Sequence, residues 1–142
     1  MRRIISEIEI EAPPAHVWEI LSGDHEGWNP FIERIEGLLA PGERLEVKFR
    51  TGPRFRPVVT TIEPGRVLEW LGSVGIRGIF DGRHRFELTE IESGTKLVQS
   101  EQFSGVLVPF MSRVLGTTET GFMEMNEALA REAVSRWAPR QA

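Results

Sequence analysis

Residues 109–137 read PFMSRVLGTTETGFMEMNEALAREAVSRW, and this stretch decides the fold because it predicts one long amphipathic helix. Proline suits the first turn of such a helix, at Pro109, where its missing N–H costs nothing. At about 100° per residue, one arc carries mainly apolar side chains, namely Met111, Leu115, Thr118, Phe122, Met125, Leu129 and Ala133. The opposite arc carries Arg113, Thr117, Thr120, Glu124, Glu127 and Arg131.

The length of this helix requires a wide partner surface. At about 1.5 Å per residue, the stretch Pro109–Trp137 extends about 43 Å. A compact domain of this size has a diameter of roughly 37 Å. A concave surface that spans the whole molecule must therefore cover the apolar arc, and the preceding residues have to supply it.

Composition limits the class of protein. The chain has 142 residues, which predicts a single domain over residues 1–142, and it has no cysteine to form a disulfide or a thiolate metal site. Its net charge is −4 and no basic block occurs, so we expect no nucleic-acid partner. No apolar run is long enough for a signal peptide or a membrane span, which predicts a soluble cytoplasmic protein with no stable membrane insertion.

The first third of the chain predicts one strand and two short helices. Alternating apolar and acidic residues over Ile4–Ala12 indicate a half-buried strand. The segment Pro14–Leu21 predicts a short helix that has His16 on its polar side. A second short helical turn is expected before Trp28-Asn-Pro30, where the X-Pro step disfavours helix.

The middle of the chain predicts six consecutive strands. Their expected bounds are Phe31–Leu39, Leu45–Arg50, Phe55–Glu63, Val67–Gly72, Ile79–Glu90 and Thr95–Phe103. Turn residues join each strand to the next, which indicates an antiparallel meander. The predicted fold is therefore α+β, with a seven-stranded curved antiparallel sheet around the long C-terminal helix and two short helices between strands 1 and 2. A cavity is expected between the helix and the sheet.

Six segments, in order along nearly the whole chain, resemble a known family. They are Ile10–Trp18, Trp28–Pro30, Pro64–Trp70, Asp81–Leu88, Gly94–Leu97 and Gly121–Leu129. The chain resembles the START-like, birch-pollen-allergen-like (SRPBCC) superfamily of helix-grip proteins, and within it the polyketide cyclase/dehydrase-like bacterial proteins. The resemblance implies the helix-grip fold. It leaves the activity open, because members bind lipids, sterols, polyketides or hormones, and some cyclise or hydrolyse.

The last predicted hairpin places a histidine and a glutamate on one face. If its loop is Ile91–Gly94, then His84 faces Glu101, and a shift of two residues would place His84 opposite Phe103 instead. In both registers the inner face carries His84, Phe86, Leu88, Leu97, Gln99, Glu101 and Phe103.

This pair has three interpretations. His84 and Glu101 could act as a general acid–base pair on a carbonyl substrate. They could instead give a ligand two polar anchors in an apolar pocket. The third interpretation is a structural pair that has no chemical role.

The other candidate ligand-binding residues are mainly apolar. Trp28 and Trp70 could form flat walls for a ligand, or pack in the core, and Leu68 shares a face with Trp70. Across the gap, Leu115, Thr118, Phe122 and Met125 of the helix are expected to set the pocket volume. The glycine-rich segment Gly72–Gly78 fits no phosphate-binding pattern, and it forms either a lid or a hairpin loop.

No cofactor or metal is expected. Asp24, His25 and Glu26 are consecutive and lack a second ligand cluster, so a solvated loop is favoured. The favoured function is a carrier or sensor of a small hydrophobic ligand such as a lipid or a polycyclic or aromatic compound. The alternative is an enzyme of the cyclase, dehydrase or hydrolase type that uses His84 and Glu101. A partner-binding module, including a homodimer, is also left open.

Overall fold

The computed structural model of the protein describes residues 1–52 and 54–141, and the side chains of all of these except 139–141. The strands are β1 (Arg2–Ile10), β2 (Ile32–Glu36), β3 (Glu46–Phe49), β4 (Arg54–Phe55), β5 (Val58–Glu63), β6 (Val67–Ser73), β7 (Asp81–Ile91) and β8 (Gly94–Ser104). The helices are α1 (Pro14–Leu21), α2 (Ser112–Gln141) and a short 3₁₀ turn at Val108–Phe110. The predicted α+β class and the long C-terminal helix are confirmed.

The described strands form two antiparallel sheets rather than the single seven-stranded sheet predicted. Five strands pair in the order β1-β8-β7-β6-β5, and the other three in the order β2-β3-β4. The predicted strand Phe55–Glu63 is interrupted at Pro57, which has no N–H to donate to a ladder. The carbonyl of Pro57 instead accepts a hydrogen bond from the N–H of Leu45 at 2.8 Å. At this proline the chain therefore leaves the three-stranded sheet after β4 and enters the five-stranded sheet with β5.

Two helical predictions were wrong in detail. Pro109 lies in the 3₁₀ turn, so α2 begins at Ser112, and α2 continues beyond Trp137 to Gln141. No second short helix occurs in the described segment 22–31. The N–H groups of Trp28 and Asn29 both reach the carbonyl of His25, which makes a single turn. Asn29 Oδ1 then accepts hydrogen bonds from the N–H groups of Phe31 and Ile32, so the chain does not continue as a helix.

The apolar arc of α2 packs on the inner face of the five-stranded sheet. Leu115, Phe122, Met125 and Leu129 are fully buried, as the helical period predicts. Burial of one such leucine contributes roughly 1.5–3 kcal/mol. His16, expected on the polar side of α1, is instead buried, and its Nε2 lies 3.0 Å from the carbonyl oxygen of Ala133 in α2.

The outer face of the sheet carries a buried carboxylate. Glu69 of β6 accepts hydrogen bonds from the Thr60 hydroxyl at 2.8 Å and from the guanidinium groups of Arg83 and Arg85 at 3.0 and 3.1 Å. These contacts join β5, β6 and β7. Burial alone would raise the pKa of Glu69, but these hydrogen bonds outweigh it and hold the pKa below its ordinary value.

No helix among the described residues is both long enough and apolar enough to cross a membrane.

Candidate functional site

A cavity of about 730 Å³ lies between the first turns of α2, the three-stranded sheet and the ends of β6, β7 and β8. Its lining includes five phenylalanines, namely Phe31, Phe49, Phe55, Phe80 and Phe103. Phe80 and Phe103 stack with their ring centroids 5.5 Å apart, and Phe31 and Phe49 lie 5.2 Å apart. Such a volume and lining are typical of sites for small molecules.

A glycine of α2 makes room for one of these rings. A Cβ atom at Gly121 would collide with the ring of Phe31, so only glycine lets this ring lie against the helix. Phe31 also meets Phe122 edge-on, at a centroid distance of 5.9 Å. Phe31 directly precedes β2, so its ring connects the three-stranded sheet to α2 at the cavity wall.

The predicted hairpin register is confirmed. His84 pairs with Glu101 across β7 and β8, and Ile91 pairs with Gly94 at the turn. His84 Nδ1 lies 3.4 Å from Glu101 Oε1, and both side chains line the cavity although they are only 4 and 9 % exposed. A Cβ atom at Gly82 would occupy the place of the Glu101 carboxylate. Gly82 therefore determines where this carboxylate can lie.

A chain of hydrogen bonds runs from the imidazole of His84 across to α2 and β1. His84 Nε2 lies 2.9 Å from Gln99 Oε1, Gln99 Nε2 donates to Asn126 Oδ1 at 2.7 Å, and Asn126 Nδ2 donates to Ser6 Oγ at 3.1 Å. With the amides in this orientation, Gln99 Oε1 is an acceptor, so His84 Nε2 carries a hydrogen. The other ring nitrogen, Nδ1, faces the Glu101 carboxylate and the cavity.

Three aromatic rings surround the imidazole on its other sides. Ring centroids of Trp70, Phe86 and Phe122 lie 5.0, 4.6 and 4.7 Å from that of His84. These rings fix the orientation of the imidazole, because it cannot turn without displacing one of them. The indole N–H of Trp70 is buried and has no hydrogen-bond partner among the described residues.

The predicted site residues fall into three groups. Four of them line the cavity, namely His84, Glu101, Phe103 and Thr118. Seven are buried and are not among the lining residues, namely Leu68, Trp70, Phe86, Gln99, Leu115, Phe122 and Met125. Trp28 is outside the cavity lining and packs on His25 at a centroid distance of 4.8 Å.

The turn that holds Trp28 is organised by His25. His25 is buried, with Nε2 2.6 Å from the carbonyl of Leu21 and Nδ1 2.9 Å from Asn29 Nδ2. Asn29 Oδ1 accepts the N–H groups of Phe31 and Ile32. The side chain of His25 thus points inward and does not join Asp24 and Glu26 in a solvated loop. The turn positions Phe31 at the cavity wall.

The cavity mouth is formed by the solvent-exposed lining residues Arg54, Arg56, Val74, Arg113 and Val114. Val74 and Gly75 come from the glycine-rich segment, which therefore contributes to the mouth. The three arginines of the mouth and the rings of Phe31, Phe49 and Phe55 were not identified from the sequence. For two of these rings a signal was available in glycines inside regular elements, because Gly72 of β6 lies against Phe55 and Gly121 of α2 lies against Phe31.

Comparison with known proteins agrees with this architecture. The model of the family described as "Polyketide cyclase / dehydrase and lipid transport" matches residues 1–137. Among curated proteins, no significant match is found. The family match agrees with the resemblance noted from the sequence.

Solved structures share the fold at low identity. Protein MLL2253 from Mesorhizobium loti superposes with a TM-score of 0.79 at 24% identity, over 95% of this chain and 98% of that one. Ara h 8.0201 gives a TM-score of 0.70 at 18% identity, over 94% and 98% of the two chains. DynU16, a protein of the dynemicin biosynthetic locus, gives 0.73 at 20% identity, over 91% of this chain and 46% of that one.

Proposed function

Because the chain belongs to the family described as polyketide cyclase / dehydrase and lipid transport, we propose that it binds a small hydrophobic ligand in the cavity and acts as a carrier or sensor. The observation that carries this proposal is the aromatic-walled cavity of about 730 Å³. Its volume lies within the range of roughly 300–1,000 Å³ that is common for small-molecule sites.

The cavity chemistry favours a ligand with rings or an aliphatic chain. The rings of Phe31, Phe49, Phe80 and Phe103 offer flat apolar surfaces. His84 offers a polar anchor at the wall. Lipids and polycyclic or aromatic compounds would place their apolar part against these rings and a polar group at one of the polar lining residues.

The proposal can be tested by filling the cavity. Thr118 lines it, whereas Thr120, two residues further along α2, is exposed and lies outside the lining. We expect Thr118→Trp to weaken binding of the neutral probe N-phenyl-1-naphthylamine at least about tenfold. Thr120→Trp is the matched control and should bind like the wild type. Equal binding by both variants, or no binding by the wild type, would contradict the proposal.

A second candidate function rests on the pair His84 and Glu101. The two side chains face the cavity, with His84 Nδ1 3.4 Å from Glu101 Oε1, a distance at which the carboxylate could orient an imidazole that exchanges a proton with a substrate. In an enzyme of the cyclase, dehydrase or hydrolase type, His84 would be the general acid–base and Glu101 would orient it. His84→Ala and Glu101→Gln should then abolish turnover while circular dichroism shows an intact fold. Unchanged turnover in both variants would exclude this function.

A homodimer is the macromolecular partner that we propose. Exposed apolar side chains at Ile76, Val106 and Phe110 support it, because large exposed apolar groups near one another are typical of interaction sites. The two segments that carry them are joined by a hydrogen bond from the N–H of Val106 to the carbonyl of Gly78. Sedimentation of the wild type and of Phe110→Ser would test it, since only the wild type should dimerise. A cytoplasmic location stays a prediction from the sequence.

A further inference from the structure

The cavity mouth is positively charged in a protein of net negative charge. The whole chain has a net charge of −4. Among the described residues that line the cavity, however, three are arginines, namely Arg54, Arg56 and Arg113, and one, Glu101, is a carboxylate. The charge of the cavity lining is therefore opposite in sign to the net charge of the chain.

Neighbouring carboxylates do not neutralise these arginines. Arg54 and Arg56 share a single partner, Glu46, at 2.9 and 4.0 Å. Arg113 makes no ion pair with any residue that the structure describes. Two guanidinium groups beside one carboxylate, together with Arg113, leave an excess of two positive charges at the mouth.

The start of α2 adds to this excess. Arg113 is the second residue of the helix, and the first turn contains no acidic side chain. The partial positive charge of a helix N-terminus is therefore not offset by a carboxylate from its own first turn. Arg113 and the N-terminus of α2 therefore both contribute positive potential on the same side of the cavity mouth.

The inner end of the cavity has the opposite character. The Glu101 carboxylate lies there against His84, and an anion beside it would be repelled. The phenylalanine rings occupy the space between this carboxylate and the mouth. The charge pattern therefore allows an anion at the mouth and disfavours one at the inner end.

We propose that the cavity selects a hydrophobic carboxylic acid, with its carboxylate at Arg113 and its apolar part against the phenylalanine rings. This inference rests on the proposed ligand-binding function and names the chemical class of the ligand and its orientation. Arg54 and Arg56 contribute to the positive potential at the mouth. Arg113 contributes the direct contact, because its guanidinium has no carboxylate partner in the described part of the chain.

The test compares one hydrophobic acid with its neutral ester. Cis-parinaric acid and its methyl ester share the fluorescent chain and differ in the charge of the head group. The wild type should bind the acid about fivefold more tightly than the ester, which corresponds to the upper end of the range for an exposed ion pair. Arg113→Gln should remove this preference by weakening the acid about fivefold while the ester binds as before.

Arg131→Gln is the matched control. Arg131 is an exposed arginine on the same helix and lies outside the cavity lining, so its substitution changes the net charge equally. This variant should keep the preference for the acid.

Three outcomes would overturn the inference. Equal binding of acid and ester by the wild type would refute the selection of an acid and leave the proposed binding function standing. Equal weakening of both probes by Arg113→Gln would assign the effect to packing instead of charge. Failure of both probes to bind the wild type would overturn the binding function together with this inference.

Discussion

The buried imidazole of His25 predicts that the protein loses stability in mild acid. The Leu21 carbonyl can only accept, so His25 Nε2 carries the hydrogen of their 2.6 Å contact. Asn29 Oδ1 accepts the N–H groups of Phe31 and Ile32, so the amide Nδ2 of Asn29 donates to His25 Nδ1. His25 is therefore neutral in the fold. A proton added to Nδ1 would face an N–H donor and break the contact that positions Phe31.

The sign and size of the effect follow from linkage. Burial lowers the pKa of His25, and the Leu21 hydrogen bond and the charge of Asp24 raise it by less, so the net pKa is below its ordinary value of 6.5. Below that pH the unfolded chain binds more protons at this histidine than the folded protein does. The stabilisation that the neutral His25 contributes to the free energy of unfolding is therefore fully present above about pH 6.5. As the pH drops from there toward the lowered pKa of His25, the free energy of unfolding falls by at most about 1.4 kcal/mol per pH unit.

Urea denaturation followed by tryptophan fluorescence between about pH 7.5 and about pH 5.5 measures this loss. His25→Gln is the reference, since its amide can still donate to Leu21 but cannot titrate. His16 and His84 are present in both proteins, so the difference in pH dependence belongs to His25. The wild type should lose more stability than the variant across this range. If the free energy of unfolding changed equally with pH in both proteins, then His25 would not be held neutral by its hydrogen bonds in the fold.

Three further predictions concern other parts of the fold. Because the pKa of Glu69 is lowered in the fold, the stabilisation by its carboxylate is present above about pH 4.5 and is lost as the pH falls further. Glu69→Gln should therefore flatten the decrease of melting temperature below about pH 4.5. An unchanged curve would contradict this. Gly82→Ala should displace the Glu101 carboxylate and lower the free energy of unfolding by about 1 kcal/mol, the low end for an inserted methyl group because the displaced atom is the end of a flexible side chain, whereas Gly27→Ala, which has open space around it, should have little effect. Phe122→Ala should cost about 3–5 kcal/mol in chemical denaturation, and a loss below about 1 kcal/mol would show that the residue is less well packed than described.

The hairpin and the long helix were predictable because local patterns determine them. A turn at Glu92-Ser-Gly94 fixes the register, and alternation then places His84 opposite Glu101. The 3.6-residue period likewise identified the buried residues of α2 from Leu115 to Ala133.

The second sheet and the mouth of the cavity were not predictable in this way. The alternation of residues in β3 shows which side chains share a face but not which sheet the strand joins. The break at Pro57, which separates β4 from β5, falls inside a run that reads as one strand. Arg113 was assigned to the solvent side of the helix, and it is exposed, but the cavity opens beside that side. Such a placement depends on tertiary packing and cannot be obtained from the period of one helix.

Heteronuclear NMR of the isotope-labelled protein, titrated with cis-parinaric acid, shows whether the cavity binds a hydrophobic ligand. The largest chemical-shift changes should occur at cavity residues such as Phe80, Phe103 and Thr118, whereas Thr60 and Glu69 on the outer face should not respond. Changes confined to the outer face, or no saturable change at the cavity residues, would contradict ligand binding in the cavity.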